Sequence, residues 1–243
     1  MLLLDIGNSR CKWARIENDA WTQLGVAGND EWRALERDFD LLSPPARIIV
    51  SNVGGDELAQ RLRSICSRWA VPVEFVAAQS EQCGVSNGYE NSARLGSDRW
   101  AALVAAWHRI GRACLVVGCG TATTVDALSG EGKFLGGLIL PGVTLMQQSL
   151  MNNTAQLQDD NGHVQDFPCN TADAIFSGEI RATVGAIAHQ YALLQALGSG
   201  EEIGCVLSGG AAGQIETHLG MTVERVDNLV LEGLKIIGEA SAC

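Results

Sequence analysis

The sequence predicts an α/β protein built from two mixed sheets, and three observations lead to this expectation. Segments typical of strands alternate with segments of helical spacing along the chain. The order of three strands, helix, strand, helix, strand and helix runs through residues 1–110 and is largely repeated in residues 111–243. Each repeat begins with an apolar strand that ends in a glycine-centred turn, in MLLLDIGNSR and in CLVVGCGTAT. We therefore predict two halves, 1–110 and 111–243, that share an interface.

The first half opens with a three-strand pattern. The continuous apolar run at 2–6 predicts a buried strand, and the segments 11–16 and 21–26 are predicted to follow it with the turn NDAW between them. EWRALERDFDLL and ELAQRLRSICSRWA carry apolar residues at helical spacing, and ARIIVSNV and PVEFV are typical of strands. The polar stretch AAQSEQCGVSNGYENSARLG is predicted to be a loop, and loops of this length are usually functional or mobile.

The second half repeats this pattern after a helix over SDRWAALVAAWHRIG, with Ser97 or Asp98 as its N-cap and Gly111 as its end. CLVVG, TTVDAL and KFLGGLIL predict three strands, and PGVTLMQQSL predicts a helix. The stretch from TADAI to QALG predicts a long helix that is apolar nearly all round over residues 182–197. EIGCVLSGG and MTVERV predict strands, and DNLVLEGLKIIGEASA predicts the closing helix.

The composition excludes several classes of protein. A hydrophobic fraction of 47% provides a packed core, and a net charge of −11 argues against a nucleic-acid partner and against a polybasic membrane anchor. The opening residues lack the basic segment of a signal peptide, and no apolar run is long enough to span a bilayer. The eight cysteines form no CxxC pair, so we expect reduced thiols in a cytoplasmic protein.

The two glycine turns are candidates for phosphate binding. Aligning the two leading strands places Gly7 on Gly120 and Asn8 on Thr121. Glycine lets backbone N–H groups approach an anion closely, so two such turns are suited to gripping a polyphosphate. Asp5, at the end of the first strand, is compatible with phosphate only if a cation such as Mg²⁺ lies between them. The alternative is an ordinary strand end and an ordinary hairpin. Neither turn is a Walker A loop or a Rossmann turn.

The stretch GSDRW, at residues 96–100, follows the long loop and opens a helix. An aspartate at this place is either a helix cap or an acid kept ionised by the positive helix end. Arg99 is either a solvated charge or a clamp for a carboxylate. Tyr89 belongs to the same loop, and this grouping favours a functional role for Asp98 and Arg99.

Five motifs in this order resemble the type III pantothenate kinase family: DIGNS, Y-x-N followed by LGSDRW, VVxxGTATTVD, GGLILPG and TADAI. The resemblance extends from residue 1 to about residue 210. It implies the duplicated actin-like (ribonuclease H-like) ATPase fold, with a cleft between two mixed-sheet halves, and a homodimer. The implied activity is the ATP-dependent phosphorylation of pantothenate to 4′-phosphopantothenate, the first step of coenzyme A biosynthesis.

The resemblance also implies the roles of individual residues. ATP is expected to contact the first phosphate loop and the second glycine turn, which comprise Asp5, Ile6, Gly7, Asn8, Ser9, Arg10, Cys11, Lys12, Gly120 and Thr121. Mg²⁺ is expected near Asp5. Pantothenate is expected to contact Tyr89, Gly96, Ser97, Asp98, Arg99 and Thr171. In this assignment Arg99 pairs with the carboxylate of pantothenate and Asp98 is the general base for its primary hydroxyl.

The chain departs from the family pattern at Gly118, where an aspartate that helps to bind K⁺ or NH₄⁺ is common. The resemblance therefore leaves the requirement for a monovalent cation open. Ser9 and Arg10 also replace a common Thr-Asn pair, which we expect to be tolerated because backbone groups grip the phosphate.

Two alternatives to a pantothenate kinase remain at the level of the sequence. One is a kinase of the same fold that acts on a sugar or another small carboxylate. The other is a non-enzymatic accessory regulator of gene expression. Arg99 and Tyr89 favour a compact acceptor that bears a carboxylate, and the acidic charge argues against direct contact with DNA.

Overall fold

The computed structural model describes residues 1–153, 162–198 and 202–241, and these form two compact units. The first unit runs from Met1 to Arg109 and takes in the chain again from Asn228 onward, and the second unit runs from Ile110 to Asp227.

The elements follow in chain order. The strands are β1 (Leu2–Ile6), β2 (Arg10–Glu17), β3 (Ala20–Gly28), β4 (Ile48–Asn52), β5 (Val73–Phe75), β6 (Glu81–Gln82), β7 (Val85–Asn87), β8 (Cys114–Cys119), β9 (Ala122–Leu128), β10 (Lys133–Pro141), β11 (Gly204–Ser208) and β12 (Glu224–Arg225). The helices are α1 (Trp32–Asp40), α2 (Asp56–Cys66), α3 (Ser97–Ile110), α4 (Val143–Asn153), α5 (Thr171–Leu197), α6 (Ala212–Glu216) and α7 (Leu229–Ala240), with a 3-10 turn at Ser92–Arg94.

The sheet of the first unit has the order β3-β2-β1-β4-β5. β1, β2 and β3 form an antiparallel meander, and β4 and β5 join it in parallel. The apolar run of β1 is buried because helices lie on the sheet: α7 contacts both β1 and β4, and α1 contacts β3. Phe39 of α1 packs between Trp13 and Trp69, with ring centroids 5.6 and 5.5 Å away.

The second unit repeats this arrangement. Its strands lie in the order β12-β11-β8-β9-β10, in which β8, β9 and β10 are antiparallel and β11 and β12 are parallel to β8. β8 therefore takes the place that β1 has in the first unit, and β11 takes the place of β4. The predicted duplicated actin-like fold is confirmed by this repeated strand order.

Several local predictions differ from the structure. The long loop before α3 contains the hairpin β6–β7 and the 3-10 turn, and MTVERV yields only the two-residue strand β12. The short helix α6 was not predicted. α7, which the sequence assigned to the C-terminal half, belongs to the first unit, where its Gly233 approaches the backbone of Ala101 so closely that a Cβ would overlap it.

The helices of the described residues include no membrane span. None of them combines the length and the apolar character that a bilayer crossing needs.

Candidate active site

The central feature of the first unit is a pair of carboxyl groups at the ends of two elements. Asp5 lies near the end of β1 and Asp98 lies in the first turn of α3. Asp5 Oδ1 is buried and has no hydrogen-bond partner. Burial, and then the negative charge of Asp98, raise the pKa of Asp5 to about 7. The fold thus brings together two acids that are far apart in sequence.

Serine hydroxyls hold this pair in place. Ser51 donates a hydrogen bond to Asp5, and its Oγ lies 3.0 Å from Ser97 Oγ. Ser97 Oγ in turn accepts from Asn52 N at 3.1 Å. Ser97 is 8% exposed, so its hydroxyl fixes the start of α3 against β4 and is already occupied within the protein.

Gly96 determines how closely Asp98 can approach the preceding backbone. A Cβ at position 96 would lie 2.5 Å from Asp98 Oδ1. The same oxygen accepts from Arg99 N at 2.8 Å, and this bond partly offsets the burial that raises the pKa of Asp98. α3 begins at Ser97, so Asp98 lies inside the helix and Oδ1 bonds to the next residue. Any side chain at position 96 therefore requires Asp98 to move.

Arg99 and Tyr89 form the second part of this region. Arg99 Nη1 donates to the Tyr89 hydroxyl at 2.9 Å, and the guanidinium carbon lies 5.6 Å from the centroid of the Tyr89 ring. Arg99 is 7% exposed. A guanidinium held in a fixed plane is suited to binding a carboxylate through two parallel hydrogen bonds. The structure thus brings Tyr89, Asp98 and Arg99 together within the first unit.

The first glycine turn connects β1 to β2. Gly7 N donates to Arg10 O at 3.0 Å, and Asn29 Nδ2 donates to Gly7 O at 2.9 Å. A Cβ on Gly54 would lie 2.8 Å from Gly7 O, so the turn after β4 packs directly on this loop. The side chains of Ile6 and Cys11 are buried in the core, so only the backbone atoms of these residues are available to a ligand. Lys12 is the cross-strand neighbour of Asp5, and its positive charge lowers the pKa of Asp5.

The second glycine turn connects β8 to β9 in the second unit. Gly120 N donates to Ala122 O at 3.1 Å, so this turn is closed over two residues where the first turn is closed over three. Gly142 N donates to Thr121 O at 2.9 Å, and a Cβ on Gly142 would lie 2.2 Å from Gly120 O. Gly209, at φ +104°, packs against the backbone of Cys119. The turn that follows β11 thus packs on the second glycine turn, as the turn that follows β4 packs on the first glycine turn.

Gly118 is the second-last residue of β8, and the second glycine turn follows the end of this strand. A Cβ at this position would lie 2.9 Å from Thr124 Oγ1, so the neighbouring strand fills the space beside Gly118. An aspartate here would require the Thr124 side chain to move.

Thr171 lies in the second unit, at the start of α5. Asn170 caps this helix through a bond from Asp173 N to its Oδ1 at 2.9 Å. Thr171 lines a cavity of about 1100 Å³ between α4 and α5 that is mostly apolar. Glu179, eight residues further along α5, lines the same cavity, is 3% exposed, and has no partner for either carboxylate oxygen. Burial raises the pKa of Glu179 to about 7.

Sequence reasoning missed the residues that hold the site. Ser51, Asn52 and Gly54 belong to the strand ARIIVSNV and the turn behind it, which showed only an apolar pattern followed by small polar residues. The glycine pair at 209–210 was visible but had no assigned role. The signal that was available is the repeat itself, because Ser51 is the second-last residue of β4, Ser208 is the last residue of β11, and a glycine pair follows each strand within a few residues. Glu179 gave no signal, since a single acid in a helix is usually exposed.

Comparison with known proteins identifies a family. Residues 1–193 match the family model described as type III pantothenate kinase. A protein from Nitrosospira multiformis named type III pantothenate kinase is 44% identical over 243 residues, which cover 100% of this chain and 92% of that protein.

Two solved structures share the fold at low sequence identity. One, described as a conserved Baf family transcriptional activator from Campylobacter jejuni, has a TM-score of 0.64 at 20% identity and covers 100% of both chains. The other, described as a 2-dehydro-3-deoxygalactonokinase protein from Sinorhizobium meliloti, has a TM-score of 0.62 at 15% identity and covers 99% of this chain and 98% of that chain. At these identities the likeness concerns the fold alone.

Proposed function

Because the chain belongs to the type III pantothenate kinase family, we propose that Asp5 and Asp98 form the catalytic centre of the enzyme. The enzyme transfers the γ-phosphoryl group of ATP to pantothenate and forms 4′-phosphopantothenate, the first step of coenzyme A biosynthesis. The observation that carries the proposal is the electrostatic interaction between two partly buried carboxyl groups, in which Asp98 raises the pKa of Asp5, with Arg99 next to Asp98 and bonded to Tyr89. The family membership disfavours the accessory regulator.

Asp98 is the proposed general base. It accepts the proton of the primary hydroxyl of pantothenate while the hydroxyl oxygen attacks the γ-phosphorus of ATP in line. The bond to the bridging oxygen breaks, and ADP leaves. The raised pKa of Asp98, caused mainly by burial, brings the carboxylate closer to the basicity that proton transfer near neutral pH requires. Positioning of the reactants and electrostatic stabilisation supply most of the rate enhancement in phosphoryl transfer.

Asp5 is the proposed partner of a magnesium ion bound with ATP. The orphaned oxygen Oδ1 fits a cation, because a buried carboxylate beside a second acid is stabilised by positive charge. Mg²⁺ usually takes one or two carboxylates from the protein together with substrate phosphates, and Asp5 is the proposed carboxylate here. When bound there, the ion neutralises charge on the phosphates.

The nucleotide phosphates are proposed to contact the residues from Asp5 to Lys12 and the turn at Gly120 and Thr121. Gly7 and Gly120 carry no Cβ, so phosphate can approach the backbone of each turn closely, which supports binding through the main-chain N–H groups of the turns. The N–H groups of Gly7 and Gly120 themselves are used in hydrogen bonds within the turns. Ile6 and Cys11 take part through their backbone, since their side chains are buried.

Pantothenate is proposed to contact Tyr89, the stretch 96–99 and Thr171. In this assignment Arg99 binds the carboxylate, supported by its fixed stacking on Tyr89. Thr171 is a further contact, supported by its place on the wall of a cavity. Ser97 contributes by holding the helix that carries Asp98 and Arg99.

A weak or absent dependence on K⁺ or NH₄⁺ is proposed for this enzyme. Gly118 supplies no carboxylate, and Thr124 occupies the space that a side chain at that position needs.

A homodimer is also proposed. Exposed leucines lie on neighbouring helices of the second unit, at positions 145 and 150 of α4 and 193 and 197 of α5, and they are suited to burial against a second copy. The net charge of −11 opposes binding to nucleic acid or to an anionic membrane. A cytoplasmic location is supported by the cysteines of the described residues, which are unpaired thiols.

A coupled ADP-release assay with pantothenate, run with and without K⁺ or NH₄⁺, tests the activity and the cation proposal together. We expect turnover that depends on pantothenate and changes little with either cation. Turnover with a sugar but not with pantothenate would contradict the proposed acceptor site. A strong requirement for K⁺ would contradict the proposal for Gly118.

A further inference from the structure

The segment 88–92 carries Tyr89 and is closed by a single side chain. Asn87, the last residue of β7, accepts a hydrogen bond from Tyr89 N at its Oδ1, over 3.0 Å. Its Nδ2 donates to Ser92 O at 3.3 Å. The amide of Asn87 therefore bonds to both ends of the segment. These two bonds limit the backbone positions that Tyr89 can adopt.

Asn87 belongs to a hairpin that is attached to α3, the helix that bears Arg99. Its backbone N donates to Ser80 O at 2.9 Å, which closes the base of the hairpin β6–β7. The hairpin is attached to α3 at its other end: Trp100 Nε1 donates to Gln82 Oε1 at 2.8 Å, and His108 Nε2 lies 3.0 Å from Cys83 O. The segment 88–92 thus starts from an anchored point.

Tyr89 connects Asn87 to Arg99. Its hydroxyl accepts from Arg99 Nη1 at 2.9 Å, and its ring lies under the guanidinium. A guanidinium binds a carboxylate through two parallel bonds only when its plane is correctly oriented. A shift of the Tyr89 backbone changes both the hydroxyl and the ring on which that orientation depends.

We propose that Asn87 is a positioning residue that orients Arg99, through Tyr89, for the carboxylate of the acceptor substrate. The proposal rests on the proposed function, in which Arg99 binds the carboxylate of pantothenate. Asn87 touches no substrate in this account. Its contribution concerns the recognition of the charged end of the acceptor and leaves the phosphoryl-transfer step at Asp98 unchanged.

The test compares pantothenate with pantothenyl alcohol, in which a CH₂OH group replaces the carboxylate. For Asn87→Ala we expect kcat/KM for pantothenate to fall roughly 10-fold to 100-fold, mostly through KM, as expected for a misoriented charge-assisted pair. We expect kcat/KM for pantothenyl alcohol to change less than about threefold, because no carboxylate is bound. The ratio of kcat/KM for pantothenate to kcat/KM for pantothenyl alcohol therefore falls. A general loss of stability would lower both values and leave their ratio unchanged.

Glu90→Gln is the matched control. Glu90 lies on the same segment, and its side chain is exposed, so the variant leaves both bonds of the Asn87 side chain in place. We expect it to keep the preference for pantothenate. An equal loss of the preference in Glu90→Gln, or an unchanged preference in Asn87→Ala, overturns the proposal. If Asn87→Ala does not fold, Asn87→Ser takes its place, since a serine cannot reach Ser92, and the same loss is expected with a smaller size.

Arg99→Ala separates this proposal from the proposed function. If the unmodified enzyme prefers pantothenate and Arg99→Ala abolishes the preference, the carboxylate site is supported and the Asn87 variants decide the positioning role. If the unmodified enzyme shows no preference, or Arg99→Ala retains it, the role of Arg99 is wrong, and the role of Asn87 fails with it.

Discussion

Replacing Glu179 by glutamine is expected to remove a component of the pH dependence of folding. Glu179 is 3% exposed, and neither carboxylate oxygen has a partner. Burial raises its pKa from an ordinary value of 4.5 to about 7. The folded state therefore holds the proton on Glu179 more tightly than the unfolded state does, and the protein is most stable with Glu179 protonated.

The size of the effect follows from the shift. Below pH 4.5 the group is protonated in both states and costs nothing. As the pH rises from 4.5 to about 7, the unfolded state releases the proton first, and the free energy of unfolding falls. A shift of roughly 2.5 units at about 1.4 kcal/mol per unit amounts to about 3 kcal/mol, which is lost once the pH exceeds the folded pKa.

The assay is urea unfolding followed by circular dichroism, at pH values from about 4 to about 8. The difference in unfolding free energy between the unmodified protein and Glu179→Gln is expected to change by about 3 kcal/mol across this range, in favour of the variant at high pH. Glu90→Gln, at an exposed position, is the control and is expected to follow the unmodified protein. Parallel curves for the Glu179 variant and the unmodified protein would refute the reasoning, since they would mean that the carboxyl group is solvated or paired.

Three further predictions concern the active site. Asp98→Asn is expected to melt within a few degrees of the unmodified enzyme, while its kcat falls on the order of 10²-fold to 10⁴-fold. Near-normal turnover in this variant would remove Asp98 as the base. The control is Asp56→Asn, which changes an exposed aspartate in the first turn of α2. Gly96→Ala is expected to lower kcat/KM roughly 100-fold in the ADP-release assay, because its Cβ would lie 2.5 Å from Asp98 Oδ1. Gly220→Ala is the control, since a Cβ at that position meets nothing within 4 Å, and its kcat/KM is expected to equal that of the unmodified enzyme. Gly118→Asp is expected to introduce stimulation by K⁺ that Gly118→Ala lacks, and an equal response of both variants to a KCl titration would exclude a role for the carboxylate.

The fold was largely predictable because its signals are local. The apolar run of β1 and its counterpart in β8 predict buried strands, and the repeated order of elements predicts two similar sheets. The hairpin β6–β7 was missed because its strands have two and three residues and depend on side chains of α3 for their support. The position of α7 was missed because an apolar helix does not specify in its own sequence which sheet it will cover.

The candidate site was predictable in part, through its motifs. DIGNS and LGSDRW identify Asp5, Asp98 and Arg99 as candidates, but the sequence does not bring them together. The hydroxyl chain from Asn52 through Ser97 and Ser51 to Asp5 is built from residues on three separate elements, and serine at a strand end has no distinctive pattern.

By itself the sequence determined the order of the elements, the two glycine turns, the chemical types of the site residues and the family to which the chain belongs. The tertiary structure alone decided that the charge of Asp98 raises the pKa of Asp5, that Ser97 is engaged inside the protein, that Asn87 is bonded to both ends of the Tyr89 segment, and that Glu179 is buried without a partner. The physical reason is that periodicity and turn chemistry act between near neighbours in the chain. The burial of a carboxyl group and the pairing of a side chain depend instead on which distant segments pack against it.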